Sequence, residues 1–167
     1  MIKYLKGDAT APVLDKALIA HVCNNWGGWG AGFVLAISKR WSEPEKAYRD
    51  WYKGIVDNIA QERDKDKFAL GNVQFVLVFD KGIWVANMIA QDGFKKAGDP
   101  KDKVYLDYDA LNMTLCEVCK FARKKGLTLH MPRIGCGLAG GRWDLIEPLL
   151  ETHSDDNKVD VYVYDFE

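Results

Sequence analysis

Twice along this chain an apolar run of strand length stops at a cluster of glycines and resumes as a helix. The first unit runs from residues 18–22 (LIAHV) through Asn24-Asn25-Trp26-Gly27-Gly28-Trp29-Gly30-Ala31-Gly32 into residues 33–41. The second runs from residues 128–132 through 134–141 into residues 142–152. Short apolar runs without polar alternation are strands buried on both faces, as in a parallel sheet covered by helices. Glycine lets backbone N–H groups approach an anion with no side chain in the way, and the helix that follows adds the partial positive charge of its first turn. At neighbouring strand ends, two such loops can hold a diphosphate between them, in the crevice where open α/β sheets bind ligands.

The rest of the chain fits around these units. Residues 2–6 read as a short strand ended by Gly7-Asp8, and residues 43–59 as a helix with Pro44 in its first turn. Residues 61–67 are charged and read as a solvated loop. Residues 73–79 and 83–90 are strand-like and joined by Asp80-Lys81-Gly82, a hairpin signal. A polar loop over 91–103 precedes a helix over 105–125 with Gly126 as its stop, and residues 159–166 form a terminal strand. The order predicts an α/β fold with a central mixed sheet and helices on both faces. Without an internal repeat, low-complexity tract or linker, residues 1–167 are expected to form a single domain.

Charge narrows the function classes. Lys+Arg total 23 against 24 Asp+Glu, so no basic surplus supports general nucleic-acid affinity, and nucleotide binding must come from a local site. The four cysteines are Cys23, Cys116, Cys119 and Cys136. Cys116 and Cys119 form a C-x-x-C, but within a helical pattern and with no second pair at zinc spacing, so they read as structural thiols, with no metal and no cofactor expected. The N-terminal MIKYLKGDAT lacks the apolar region of a signal peptide and no segment is long enough to span a membrane, which predicts a reduced, cytoplasmic protein.

The first loop lacks G-x-x-x-x-G-K-[ST] and a clean G-x-G-x-x-G, which argues against a triphosphate P-loop and a Rossmann dehydrogenase. What the chain does carry is Lys6-Gly7-Asp8, an A-H-x-C-N over 20–24, Gly30-Ala31-Gly32 and M-P-R-I-G-C-G-L over 131–138. In this combination and order the sequence resembles the macrodomain family, on the branch of the yeast-type ADP-ribose-1''-phosphate phosphatases and the terminal ADP-ribose protein glycohydrolase. The likeness spans nearly the whole chain, and the P-R-I-G-C-G-L run is its most specific part.

The resemblance implies a three-layer α/β/α macrodomain with an ADP-ribose cleft. By position, Asp8, with Ala9 beside it, would accept a hydrogen bond from the adenine amino group. Asn24 and Asn25 would lie near the distal ribose. Gly30, Ala31, Gly32 and Phe33 would cover the diphosphate from one side. Arg133, Ile134, Gly135, Cys136, Gly137, Leu138, Ala139 and Gly140 would cover phosphates and distal ribose from the other. Phe166 would lie against adenine. The expected partner is a small ADP-ribose derivative, with ADP-ribosylated macromolecules as the wider class, no membrane, and a monomer as the acting unit.

Several residues support two readings. Asp8 can simply cap a turn. His21, inside an apolar run, is either a satisfied core residue or a titratable group of the cleft. Cys136 reads as a backbone-donor position because no base is evident beside it. Trp29 and Trp143 flank the loops and either pack in the core or wall the cleft. Asp92 either ends a strand or acts in the cleft, and Lys95, Lys96, Lys101 and Lys103 are either solvated or attract an anion.

Two departures bear on the reaction. The resemblance places the glycohydrolase branch's nucleophilic lysine at Gln91 and its aspartate after G-C-G-L at Ala139, so that lysine mechanism is not carried over. Phosphomonoester hydrolysis needs an activated water or nucleophile, a proton for the leaving oxygen and donors for the phosphoryl oxygens. Glycine amides supply the donors, and His21 and Asp92 are the titratable candidates. The expected activity is hydrolysis of ADP-ribose 1''-phosphate to ADP-ribose and phosphate. The alternatives are a lysine-free hydrolase that removes ADP-ribose from protein or nucleic acid, and a non-catalytic ADP-ribose-binding module.

Overall fold

The computed structural model describes residues 1–55, 61–62, 67–78, 80 and 82–166, with Gln61 and Glu62 described as backbone only. The strands are β1 (Ile2–Lys6), β2 (Ala17–Asn24), β3 (Gln61–Glu62), β4 (Val73–Leu77), β5 (Trp84–Gln91), β6 (Thr128–Pro132) and β7 (Val161–Asp165). The helices are α1 (Phe33–Arg40), α2 (Glu43–Lys53), α3 (Tyr108–Lys125) and α4 (Trp143–Asn157). They build a seven-stranded sheet in the order β1-β7-β6-β2-β5-β4-β3. Pairings from β1 through β5 are parallel, and β4 and β3 add antiparallel strands at one edge.

The alternation of β2 shows why helices must cover both faces. Leu18 and Ala20 join the core beneath α3 and α4, with Leu111, Leu115 and Ile146. Ile19 and Cys23 point the other way, to Ile37 of α1 and to Tyr48 and Trp51 of α2. A strand buried on both faces has no polar side to offer solvent, so the continuous apolar run and the three-layer α/β/α architecture are the same fact.

Local chemistry sets the helix ends. Asp107 caps α3 by accepting from the Ala110 amide at 2.9 Å, and Gly126 ends it in the left-handed conformation at φ 69°. The helix therefore starts at Tyr108 rather than at 105. Tyr105 and Leu106 instead run extended, their amides donating to the Ala139 carbonyl at 2.8 and 3.1 Å. Gly54, at φ 75°, stops α2 at Lys53, short of residue 59. Residues 56–60 lie outside the described residues. Gln61 and Glu62, expected in a loop, pair with Val76 and Phe75 in the sheet. The hairpin joining β4 to β5 is present, with Phe79 and Lys81 outside the described residues. Helix α4 continues past 152 to Asn157. Among the described residues, no helix is long and apolar enough to cross a membrane.

Candidate functional site

A cavity of about 720 Å³ opens where β2, β5 and β6 end, lined by the first glycine loop on one side and the second on the other. Because β6 and β2 are neighbours running in the same direction, their loops emerge side by side. A Cβ built on Gly32 would stand 3.5 Å from Leu138 Cδ1, so the two loops meet at the cavity mouth.

The first loop is shaped by Asn24. The ladder between β2 and β5 slips at Cys23/Asn24, which brings Asn24 opposite Gln91. Irregularities of this kind re-aim a side chain at a strand end. Asn24 Oδ1 accepts from the amides of Trp26 and Gly28 at 2.9 and 3.0 Å, and its Nδ2 donates to the Gly28 carbonyl at 2.9 Å. From α2, the Tyr48 hydroxyl donates to the Asn24 carbonyl at 2.7 Å, and burial raises its pKa far enough that it stays a donor. Beyond this folded segment, Gly32 adopts φ 84° and no side chain caps α1. The amides of Ala31, Gly32, Phe33 and Val34 have no acceptor among the described residues. Unclaimed first-turn N–H groups facing a cavity are an anion site.

The second loop folds on itself. The Gly141 amide donates to the Gly135 carbonyl at 2.7 Å, and the Gly140 amide to that of Gly137 at 3.1 Å. A Cβ on Gly141 would come within 2.6 Å of the Gly135 oxygen, so the close approach requires glycine. The amides of Gly137, Leu138 and Ala139 have no acceptor among the described residues. A Cβ on Gly30 or Gly137 would meet nothing within 4 Å, so both backbones are open to whatever enters.

His21 lies at the cavity floor, 1% exposed. Its Nε2 is 2.6 Å from Asn87 Oδ1. Asn87 Nδ2 donates to the Pro44 carbonyl at 3.2 Å and to Gln74 Oε1 at 3.1 Å, and Gln74 Nε2 donates to the Ala47 carbonyl at 3.0 Å. Two carbonyl acceptors fix which end of the Asn87 amide is nitrogen, so its oxygen faces the imidazole and Nε2 carries the proton. Burial lowers the His21 pKa to about 4, which leaves the ring neutral at pH 7 with a lone pair on Nδ1. The ring packs edge-on against Trp29, with centroids 5.3 Å apart, and against Phe33.

A second cavity of about 210 Å³ shares Phe33, Pro132 and Arg133 with the first and reaches Ala9, Tyr164 and Phe166. The two spaces thus adjoin at Arg133. The Arg133 guanidinium makes paired bonds to Asp165, 2.6 Å from Nε to Oδ1 and 3.0 Å from Nη2 to Oδ2. Asp8 stands beside this space, between Gly7 and Ala9. Its Oδ1 accepts from the amide and hydroxyl of Thr10 at 2.8 and 2.7 Å, and Arg40 lies 3.6 Å from Oδ2. Partial burial pushes its pKa up, but the Thr10 bonds and Arg40 outweigh that and hold it below the usual carboxylate value.

Of the residues expected from sequence, His21, Asn24, Gly30, Ala31, Gly32 and Phe33 line the larger cavity from one side, and Arg133, Ile134, Gly135, Gly137, Leu138 and Ala139 from the other. Ala9 and Phe166 line the smaller one. Others are elsewhere. Asn25 holds the neighbouring loop, accepting from the Gly93 amide at 2.8 Å and donating to Asp92 at 3.1 Å. Asp92 is exposed, off the cavity wall and unconnected to His21. Cys136 and Gly140 spend their amides inside the loop, on the carbonyls of Arg133 and Gly137. The Cys136 thiol, its pKa raised by burial, is also off the wall.

Trp29 walls the cavity, whereas Trp143 packs on Tyr4 and Arg133 away from it. Gln91 and Ala139, the two departures, both line the cavity. Sequence reasoning missed Phe94 as a lining residue and left Lys95 undecided. An apolar ring in a polar loop was the available signal. No carboxylate lines the larger cavity among the described residues.

No family model matches the chain. Among solved structures, a protein of unknown function from Bacteroides thetaiotaomicron is 46% identical, with 99% of this chain and 98% of that one covered and a TM-score of 0.86. A macrodomain protein from Streptomyces coelicolor is 44% identical, with 99% of each chain covered and a TM-score of 0.80. Among curated relatives, the ADP-ribose 1''-phosphate phosphatase of Meyerozyma guilliermondii is 27% identical over 91% of this chain and 93% of its own. A 30% identical segment of Chromodomain-helicase-DNA-binding protein 1-like from Danio rerio covers 91% of this chain but only 14% of that protein. On its sequence, its sheet and its near-complete overlap with the Streptomyces protein, the chain belongs to the macrodomain family.

Proposed function

We propose that the cleft binds ADP-ribose and hydrolyses ADP-ribose 1''-phosphate to ADP-ribose and inorganic phosphate. The observation that carries this reading is the pair of facing glycine loops, each with unclaimed amides, over a cavity that adjoins a second space at Ala9 and Phe166. A diphosphate between the loops would send adenine toward Phe166 and the distal ribose toward His21. The names of full-length relatives such as the Meyerozyma phosphatase support the same substrate.

In this reading water attacks phosphorus and gives up a proton to His21 Nδ1, the bond from phosphorus to the ribose oxygen breaks, and that same proton passes on to the leaving oxygen. The loop amides receive the charge on the phosphoryl oxygens. The neutral His21 has no proton to give at Nδ1, so its part is narrowed to acceptor or base. Asp92 acts from outside the cavity, through Asn25, as a positioning residue.

One observation favours a second reading. With no carboxylate on the wall of the larger cavity among the described residues, the cleft resembles a binding site more than an acid–base pair, which supports a non-catalytic ADP-ribose reader. Calorimetric titration with ADP-ribose, paired with assays of phosphate release and of label loss from ADP-ribosylated protein and nucleic acid, separates the readings. Binding in the micromolar range, about −8 kcal/mol, with phosphate release is expected. Binding with silence in both assays gives the reader, label loss alone gives a lysine-free hydrolase, and no binding at millimolar ligand overturns the proposal.

A further inference from the structure

Two cations line the larger cavity, and they are not equivalent. Arg133 is committed to Asp165 through two hydrogen bonds. Lys95 has no carboxylate partner among the described residues. Two of the three acids of its own loop are engaged elsewhere. Asp99 accepts from the Tyr105 hydroxyl at 2.7 Å and the Lys96 amide at 2.9 Å, and Asp92 accepts from Asn25 at 3.1 Å. Its neighbour Lys96 points away, its ammonium 4.9 Å from the Trp26 ring centroid. Lys95 is thus the lining cation left to meet a ligand, at the end of the cavity formed by Gln91 and Phe94.

Uncommitted amides can hold a diphosphate without any cation, and the diphosphate is common to ADP-ribose and its phosphorylated derivative. A terminal phosphomonoester brings further negative charge into a cavity whose wall offers no carboxylate to repel it and one lysine to meet it. We infer that Lys95 is a specificity-determining residue of the cleft, selecting ligands that carry a terminal phosphate over those that end in a free ribose. The inference rests on the ADP-ribose reading of the cleft.

The test is displacement of a fluorescent ADP-ribose conjugate by ADP-ribose and by ADP-ribose 1''-phosphate, read before measurable phosphate release. Wild type, Lys95→Met, Lys95→Arg and Lys96→Met are compared at low and high salt. Wild type should prefer the phosphorylated ligand, and the preference should shrink with salt. Lys95→Met should lose about tenfold on the phosphorylated ligand, the low end for a hydrogen bond to a charged group, and under about twofold on ADP-ribose. Lys95→Arg should retain most of the preference, and Lys96→Met all of it. An equal loss on both ligands, or an unchanged preference in Lys95→Met, overturns the assignment to Lys95 while leaving the cleft reading in place. Failure of both ligands to displace the conjugate from wild type overturns the cleft reading and this inference together.

Discussion

Asn87 Oδ1 sits 2.6 Å from His21 Nε2, across the parallel pairing of β2 with β5. The bond fixes the imidazole in one tautomer and ties the cavity floor, through Gln74, to the Ala47 carbonyl in α2. Exchanging Asn87 for Asp puts a negative charge beside the ring and replaces a donor to two carbonyls with an acceptor. The His21 midpoint should rise from its value of about 4, and stability should fall by about 1–3 kcal/mol for the unpaired carbonyls. Imidazole ¹⁵N NMR checks the tautomer and the midpoint, and an unmoved midpoint in a folded variant breaks the chain of bonds at its first link.

Acid should destabilise the protein through buried imidazoles. Burial lowers both His21 and His130 from 6.5 to about 4, so below 6.5 the unfolded chain binds protons that the folded chain refuses. Stability is then greatest above about pH 6.5 and is lost as pH falls toward 4, by on the order of 3 kcal/mol for each histidine. Urea unfolding at steps between pH 7.5 and 4.5, with NMR titration of the rings, measures this. Midpoints near 6.5 for both rings would remove the effect.

The loop glycines should divide into two classes. Gly30 and Gly137 face open space, so Gly30→Val and Gly137→Val should fold normally and lose ADP-ribose binding. Gly141→Val should instead lose stability, because its Cβ would collide with the Gly135 carbonyl and Leu106. Thermal unfolding and ligand titration on the same samples separate blocked clefts from broken loops. Normal binding by Gly137→Val would show that the second loop is not a phosphate cradle.

Asp8 has two possible jobs, and a pair of variants separates them. Asp8→Ala should weaken ADP-ribose binding by tens-fold if its carboxylate meets the adenine amino group, in line with about 1–3 kcal/mol for a lost charged hydrogen bond. Thr10→Val removes the hydroxyl bond at 2.7 Å yet leaves the carboxylate in place. It should bind almost as well as wild type. Equal losses in both would return Asp8 to shaping the turn.

Catalysis should depend unequally on the two titratable candidates. His21→Ala should reduce phosphate release by about 10²–10⁴-fold if Nδ1 accepts a proton in the reaction. Asp92→Ala, outside the cavity and acting only through Asn25, should cost less than about tenfold, within the effect of one lost loop hydrogen bond. A larger loss for Asp92→Ala than for His21→Ala would reverse the assignment.

Local signals made part of this molecule legible in sequence. Apolar runs without alternation marked β2 and β6, glycines marked where they stop, and the resemblance grouped residues of both loops, which line one cavity. What could not be read depends on contacts between distant segments. Nothing near His21 announces Asn87, because the partner comes from the register of β2 on β5. Cys136 lies in a matched motif and Asp92 opens the loop after β5, yet side-chain direction and hydrogen bonding within the loops turn them away from the cavity. Asn24 and Asn25 are adjacent in sequence, but one builds its own loop and the other anchors the loop after β5. Helix α3 starts at Tyr108 rather than at 105 because Tyr105 and Leu106, despite helix-like neighbours, are bound to Ala139.

The direct pairing of β6 with β2 acts as a caliper. Neighbouring strands stand about 4.8 Å apart, a spacing set by backbone hydrogen bonds rather than by side chains. The jaws are the two glycine loops, and the pairing of Ala17–Ile19 with Thr128–His130 fixes the strands from which they spring. Ligand length along the cleft is then left to the segments that are not strands, chiefly the loop carrying Phe94 and Lys95 and the chain end at Phe166. Changes in what this protein accepts should therefore come from those segments, with the strands beneath the loops staying constant.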